Sequence, residues 1–402
     1  MTTAVATNVP ALRFPEFSGE WEEKLLGNIA IFSKGKGISK SDIVENGATE
    51  CIRYGELYTH YNETIKEIRS KTNLNIKELV LSEANDIIPA SGESEIDIAT
   101  ASCVLKAGIA LSGDINIIRT KYNGVFLSYY LNNRKRKDIA ALAQGIAVVH
   151  LYSSQLKSLL LSLPTLPEQQ KIASFLTAVD TKLEQLTKKK ALLEQYKKGV
   201  MQQLFSQQLR FKDDNGNDFP EWAETEIGEF LEEYIERVSA DTDIPVLTSS
   251  RTGLHFQKDY FNDRNLDNEG EYKVVPYGYM TYRLMSDDAT FKFNINYLTE
   301  KGAISKEYPV FTTRDMNIDF LHYVLNNSKD FETFAALQKQ GGTRTRLYLK
   351  NLKKFYTKLP SLEEQQKIVS FLKIINLKIY TVNQQIEGIK AYKKGLLQQL
   401  FV

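Results

Sequence analysis

Cys51 and Cys103 are the only cysteines in the chain. Two are too few for a disulfide framework, and they suit a reduced, cytoplasmic setting. No run of about 18 apolar residues occurs, so no membrane-spanning helix is expected. The opening MTTAVATNVPALRF lacks the basic and apolar regions of a signal peptide. Neither sign of charge is in excess. The 51 Lys and Arg against 50 Asp and Glu leave a net +1, which neither argues for nucleic acid nor excludes it, because patches matter more than totals. His60, His150, His255 and His322 are scattered, with no Cys or carboxylate at metal-ligand spacing. They read as structural or surface residues, and no metal is expected. SKGKGISKS (33–41) has lysines and glycines but not G-x-x-x-x-G-K-[ST], which removes nucleotide binding there. G-x-S-x-G and H-E-x-x-H are absent. So is Pro-Pro, and with it the Asx-Pro-Pro-aromatic motif by which adenine-N6 methyltransferases hold their target base. No catalytic constellation remains, and binding or scaffolding is favoured over an enzyme.

What is present is a repeat. At 402 residues, 42% hydrophobic and 25% charged, the chain has the make-up of a soluble protein of two or more domains. LPTLPEQQKIASFL from Leu163 returns as LPSLEEQQKIVSFL from Leu359. YKKGVMQQLF from Tyr196 returns as YKKGLLQQLF from Tyr392. Segments 163–205 and 359–401 align without a gap, with 20 of 43 positions identical, far beyond chance. A second layer precedes each globular region: LRFPEFSGEWEEKLLG from Leu12 and LRFKDDNGNDFPEWAETEIG from Leu209. Each sets a Trp six residues before a Gly, Trp21 with Gly27 and Trp222 with Gly228. The opening ALRF reads as the exit of a helix whose body is missing there. The second helix stops where its own exit would come, so the chain ends are expected to lie close together.

Both copies predict long helices. Thr165-x-x-Glu168 and Ser361-x-x-Glu364 have the capping-box pattern, and Pro167 falls in the first turn, where a missing N–H is tolerated. A 4-3 apolar stripe follows. The first copy places Ile172, Leu176, Val179, Leu183, Leu186 and Leu193 on it, and the second Ile368, Leu372, Ile375, Ile379, Val382, Ile386 and Ile389. Lys190, Lys197 and Lys393 are the interruptions. This is a coiled-coil seam. Forty helical residues span about 60 Å, and so long an apolar stripe needs a partner, of which the other copy is the nearest. Gly199 and Gly395 mark either a close helix crossing or the helix ends.

The chain divides into an N-terminal segment (1–21), a first head (22–160), a first helix (163–208), a linker (209–222), a second head (223–356) and a second helix (359–402). The fold class is α+β. IPVLTSS, YKVVPYGYMTY and GDINIIRT read as strands, and FLSYYLNN and IDFLHYVLNN as short helices ending at Asn. The heads share little sequence beyond such fragments. Like helices suggest one mechanical job done twice, and unlike heads suggest two different things recognised. Basic and aromatic clusters supply candidate DNA contacts: Lys34, Lys36, Lys40, Arg53, Tyr54 and His60 in the first head, and Arg251, Tyr282, Arg283, Lys339, Arg344 and Arg346 in the second. Arg forks suit guanine edges and phosphates. The bland reading of any one of them is a solvated loop charge.

With heads, helices and LP-x-L-x-EQQKI-x-SFL assembled, the chain resembles the specificity subunit of Type I restriction–modification systems over essentially its whole length. The resemblance implies two target-recognition heads in pseudo-twofold arrangement, each reading one half of a split double-stranded DNA sequence. It also implies an antiparallel coiled coil that sets half-site spacing, two bound modification (methyltransferase) subunits, and two restriction subunits joined through these. S-adenosylmethionine would then belong to the methyltransferase subunits, ATP and Mg to the restriction subunits, and no cofactor to this chain. The alternative is a pseudo-dimeric coiled-coil scaffold whose heads bind proteins, in which case the heads would present an apolar patch rather than a basic face.

Overall fold

The computed structural model describes residues 8–89, 100–142, 152–261, 270–339 and 344–402. It divides into two compact units, Met1–Lys189 with Val382–Val402, and Lys190–Thr381. Four helices organise them: α1 (Gly124–Asn133), α2 (Leu166–Phe205), α3 (Ile318–Asn327) and α4 (Leu362–Gln399). Both α1 and α3 end at the expected Asn. Each unit takes the beginning of one long helix and the end of the other.

In the first unit a five-stranded sheet runs in the order Ala30–Lys34, Asn116–Thr120, Asp86–Pro89, Ala101–Val104, Thr64–Ile65. Its pairs are antiparallel except the last. Asp86–Pro89 and Ala101–Val104 are buried at every residue, as central strands covered on both faces must be. Cys103 lies there and Cys51 in a strand of a separate three-stranded sheet, both as buried, free thiols. The second unit has a four-stranded antiparallel sheet, Leu231–Glu233, Val310–Thr313, Met280–Tyr282 and Phe293–Ile295, and a three-stranded one, Arg237–Ser239, Glu271–Pro276 and Lys301–Ser305. YKVVPYGYMTY therefore holds two strands.

A common frame supports both heads. A two-stranded ribbon pairs Glu22–Leu25 with Leu160–Leu163, and its counterpart pairs Ala223–Glu226 with Tyr356–Leu359. The Gly after each ribbon explains the Trp–Gly spacing. A Cβ on Gly27 would stand 3.0 Å from the Lys157 carbonyl oxygen, and one on Gly228 only 2.5 Å from that of Lys353, so the backbones pack where no side chain fits.

The repeated Glu and Gln do more than begin helices. Arg13 donates two hydrogen bonds to Glu168, at 2.8 and 2.7 Å, and the Trp21 indole donates a third at 3.4 Å. Arg210 does the same to Glu364, at 3.2 and 2.9 Å, with Trp222 at 3.1 Å. The capping-box expectation is thus corrected. Ser361 Oγ does accept from the Glu364 amide at 3.3 Å, but both glutamates turn inward to an Arg–Trp pair, because a charge-assisted fork outweighs one backbone N–H. Gln169 and Gln365 donate to the carbonyls of Pro164 and Pro360 and accept from the amides of Asn123 and Asn317. Those Asn residues are the N-caps of α1 and α3. LRF, Trp and EQQ are one interlocking device, made twice.

The missing helix body for the opening LRF is the end of α4. The Leu12 amide donates to the Gln399 carbonyl at 3.0 Å, as the Leu209 amide donates to Gln203 at 3.1 Å. Leu396, Leu400 and Phe401 enter the first core with Trp21, Phe126, Tyr130, Ile172 and Leu176. Val200 and Leu204 enter the second with Trp222, Phe320, Ile368, Leu372 and Ile375. Within each unit the start of one long helix therefore packs beside the end of the other, an antiparallel arrangement. The stripe residues Ile172, Leu176, Leu186, Ile368, Leu372, Ile375, Val382 and Ile386 are buried, and Val179, Leu183, Leu193, Ile379 and Ile389 are half-buried. Gly199 and Gly395 are neither a crossing nor an end. Both lie inside helices, and a Cβ at either would meet nothing within 4 Å. Gly199→Ala is expected to stabilise the protein by about 0.5–1 kcal/mol, read as a shift in the urea midpoint; a lower midpoint would show that the glycine is needed.

Candidate nucleic-acid interface

In the second head, tertiary structure gathers residues that are far apart in sequence. The hairpin Leu247–Ser250/Gly253–Phe256 turns at Arg251. Thr345–Arg346, expected as loop, is a short strand paired with Met285–Ser286, with Arg346 opposite Met285. Arg251 therefore reaches Asp288 at 2.6 Å and Arg344 reaches Asp287 at 3.0 Å. The Ser286 hydroxyl, Arg251 and the Thr290 amide hold the Asp288 carboxyl well below the usual range, so it stays ionised and keeps the Arg251 fork oriented. Arg283 and Arg346 are exposed and have no ion pair among the described residues. Arg251 and Arg283 line a cleft of about 510 Å³ together with Lys292, the hydroxyls of Thr248, Ser249 and Ser250, and the rings of Tyr260, Phe261 and Tyr308. Charged forks beside hydroxyls and flat rings can grip phosphates and base edges.

Tyr282 does not belong to this surface. It is fully buried, and its hydroxyl donates to the Leu347 carbonyl at 2.9 Å. Tyr282 is the last residue of the strand Met280–Tyr282, which is buried at every position, and Arg283 emerges just beyond the strand's end. Lys339 is exposed at the end of the helix Lys329–Leu337, and the Gly-rich stretch 340–343 lies outside the described residues. Lys292, Tyr260 and Tyr308 escaped the sequence reading. Each is an isolated residue in its own segment, and no local signal marks it.

In the first head, Lys34 ends the strand Ala30–Lys34, Lys36 lies in the loop after it and Lys40 opens a short 3-10 helix; all three are exposed without an ion pair among the described residues. The Lys36 amide donates to the Leu111 carbonyl, and the Ser112 amide to that of Ile52, both at 3.0 Å. This brings the lysine loop and the start of CIRYGELYTHY to the two sides of one strand end. His60 is exposed at the end of the helix Tyr54–Thr59. Arg53 and Tyr54 are less open. Arg53 is half-buried, 4.0 Å from the buried Glu56, and Tyr54 packs on an apolar cluster around Ile52 and Leu57. Neither is a free loop group, because Arg53 is the N-cap and Tyr54 the first residue of a short helix anchored by the buried Glu56 and Leu57.

His255 bonds Thr252 and packs on Tyr260, and His322 is half-buried, whereas His150 lies outside the described residues. Among the described residues no cluster of His, Cys, Asp or Glu could hold a metal, and no helix is long and apolar enough to cross a membrane.

Comparison with known proteins agrees with this plan. The sequence matches the family described as Type I restriction modification DNA specificity domain twice, over residues 18–195 and 222–391. It is 24% identical to the Type I restriction enzyme MjaVIII specificity subunit of Methanocaldococcus jannaschii, covering 97% of this chain and 93% of that one. It is 30% identical over 133 residues to the MjaX specificity subunit of the same organism, a stretch of 30% of this chain and 31% of that relative. Its fold is similar to the crystal structure of a Type I restriction-modification S subunit from M. genitalium, with a TM-score of 0.61 at 15% identity over 98% and 99% of the two chains. A chain from a structure of a type I R-M system gives a TM-score of 0.50 at 16% identity, covering 95% and 97%. Two copies of one frame under two unlike heads, each copy matched in turn, place the chain in the Type I restriction–modification DNA specificity family, as a DNA specificity subunit.

Proposed function

We propose that each head reads one half of a bipartite DNA target, while α2 and α4 fix the gap between the halves and hold two methyltransferase subunits, through which restriction subunits join. S-adenosylmethionine would be bound by the methyltransferases, and ATP and Mg by the restriction subunits. The assembly would work in the cytoplasm, where the two buried thiols stay reduced.

The observation that carries this reading is the contrast between repeated and unrepeated residues. Frame residues recur in the same bonds in both units, whereas the candidate contacts differ between the heads, Arg251 and Arg283 at the cleft of the second and the exposed Lys34, Lys36 and Lys40 in the first. Some repeated residues have no side-chain bond among the described residues to explain them. Tyr196 and Tyr392, Lys198 and Lys394, and Gln202 and Gln398 are identical and exposed in both long helices. Two equal exposed faces suit two copies of one partner.

The test is a modified-base map. The chain is co-expressed with its modification subunit in a methylation-free host, and the DNA is sequenced for N6-methyladenine. One split motif with a fixed gap, lost when this chain is omitted, is the expected result. Arg283→Gln should then relax one half-site only, with a loss of about 1–3 kcal/mol of discrimination at that base. Unmethylated DNA despite a stable complex would overturn the reading, and loss of both half-sites from the single substitution would contradict independent heads.

A further inference from the structure

The hairpin Leu247–Ser250/Gly253–Phe256 is a two-stranded sheet of its own. One face is turned into the head, with Leu247, Ser249 and Leu254 buried, and the two leucines join a core cluster with Val275, Ile304 and Val310. The other face carries Thr248, Ser250 and His255, all half-buried. Gly253, at φ +138°, lets the chain reverse after two residues, so Arg251 and Thr252 form the tip, and both are exposed.

The tip is fastened on every side. The buried Asn294, in the strand Phe293–Ile295, donates to Ser249 Oγ at 2.8 Å and to the Ser250 carbonyl at 3.0 Å. The Thr252 amide donates to Ser250 Oγ at 3.1 Å, and Thr252 Oγ1 bonds His255 Nε2 at 3.0 Å. Arg251 is held as well. Its Nη2 donates to Asp288 at 2.6 Å, and Asp288 accepts in addition from the Ser286 hydroxyl at 2.7 Å and the Thr290 amide at 3.1 Å. The neighbouring Asp287 takes Arg344 instead.

This pair suits a base better than a phosphate. Only Nη2 of Arg251 is engaged among the described residues, which leaves donors on Nη1 and Nε for the adjacent O6 and N7 acceptors of guanine. The Arg251 side chain is 67% exposed and that of Asp288 50%. So open an ion pair adds little to folding, and its effect is to hold the fork in one place before DNA arrives. The carboxylate also matches the guanidinium charge and repels a phosphate, so Arg251 has little counterion to release at the backbone. A two-stranded ribbon is one of the two elements that the major groove admits, and strands about 4.8 Å apart fit within its width of about 12 Å.

We propose that this hairpin is the reading ribbon of the second head, that Arg251 at its tip pairs with a guanine in the major groove, and that Asp288 is the positioning residue that keeps the fork on the base and off the backbone. This rests on the DNA-recognition reading above.

The test uses the full chain in complex with its methyltransferase partner. Modified-base maps give the motif. Fluorescence anisotropy across a salt series gives the affinity for a duplex carrying the mapped target and for a scrambled one. Arg251→Gln combined with Asp288→Asn removes the pair without changing the net charge. It should weaken the target duplex by about 5- to 150-fold and leave the scrambled duplex and the log–log salt slope unchanged. Arg251→Lys keeps the charge but not the fork, and should lose the target duplex in the same way. Asp288→Asn alone frees a cation. It should bind the scrambled duplex more tightly, with a slope steeper by up to about 0.9, while its map degenerates at one guanine of one half-site. The Arg251→Lys map should degenerate at that same guanine.

Unchanged target affinity in the double variant and in Arg251→Lys would overturn the inference. So would equal losses on both duplexes with a shallower slope in the double variant, which marks Arg251 as a phosphate contact. A degenerate position that is an A·T pair would overturn it too. Equal losses on both duplexes for Asp288→Asn, with a lower melting temperature, would mark the aspartate as structural and end its positioning role. If the unaltered complex neither methylates DNA nor prefers one duplex, the fault lies with the DNA reading itself, and the inference falls with it.

Discussion

Phe401→Ala is expected to lower the stability of the first unit by about 3–5 kcal/mol, although only one residue follows Phe401 in the sequence. Its ring is 5% exposed and packs 5.6 Å from Phe126 and 5.7 Å from Tyr130. Trp21 stands on the other side of Phe126 at 5.9 Å. The Tyr130 hydroxyl donates to the carbonyl of Val402 and accepts from the Ser162 amide, which ties the chain end to the ribbon beneath the head. Removing the ring leaves a cavity lined by aromatic groups that cannot collapse into it. Hydrogen exchange gives the cleanest measurement. Amides of α1 should lose protection, whereas those of α3 in the second unit should not. Equal loss in both helices, or none in α1, would show that Phe401 is not an anchor of the first unit. The matching Phe205 is only partly buried, 5.9 Å from Phe320, so Phe205→Ala should cost less.

Glu364→Ala is expected to cost about 3–5 kcal/mol, towards the lower end. The carboxylate is fully buried, so its loss strands the Trp222 indole N–H and takes from the Arg210 guanidinium its buried charge partner, leaving only the exposed Glu221 at 3.2 Å. Arg210 is 19% exposed and keeps the Phe219 and Pro220 carbonyls, which softens the penalty. A double-mutant cycle with Arg210→Met separates the two effects. The double variant should be less damaged than the sum of the single ones, because the isolated buried charge is what hurts. Additive losses in urea unfolding would show that the pair is not coupled. Glu168 with Arg13 should behave alike in the first unit.

Much of this architecture is legible in the order of the residues, and for a local reason. The long helices, their apolar stripe, and α1 and α3 ending at Asn follow from contacts three and four residues apart, which leave a period in the sequence. The duplication shows that LRF, Trp, Gly and EQQ matter but not why. Their partners lie 155 residues away for Arg13 and Glu168, and no period records such a pairing. The same distance hides the role of Glu168 and Glu364, whose spacing is that of a cap and whose side chains meet an Arg–Trp pair instead. Tyr282 and Arg283 look equally available in the sequence, and the end of a fully buried strand falls between them. Arg251, Arg283, Lys292 and Arg346 share a neighbourhood only because a hairpin, two sheets and a short ribbon return the chain to one place. The sequence by itself determined two helical frames, two unlike heads and the family. Tertiary structure alone decided which cations converge, which are already paired, and that the end of each long helix completes the core of the unit in which the other helix begins. Those outcomes depend on the path of the chain between distant residues, which neither propensity nor periodicity encodes.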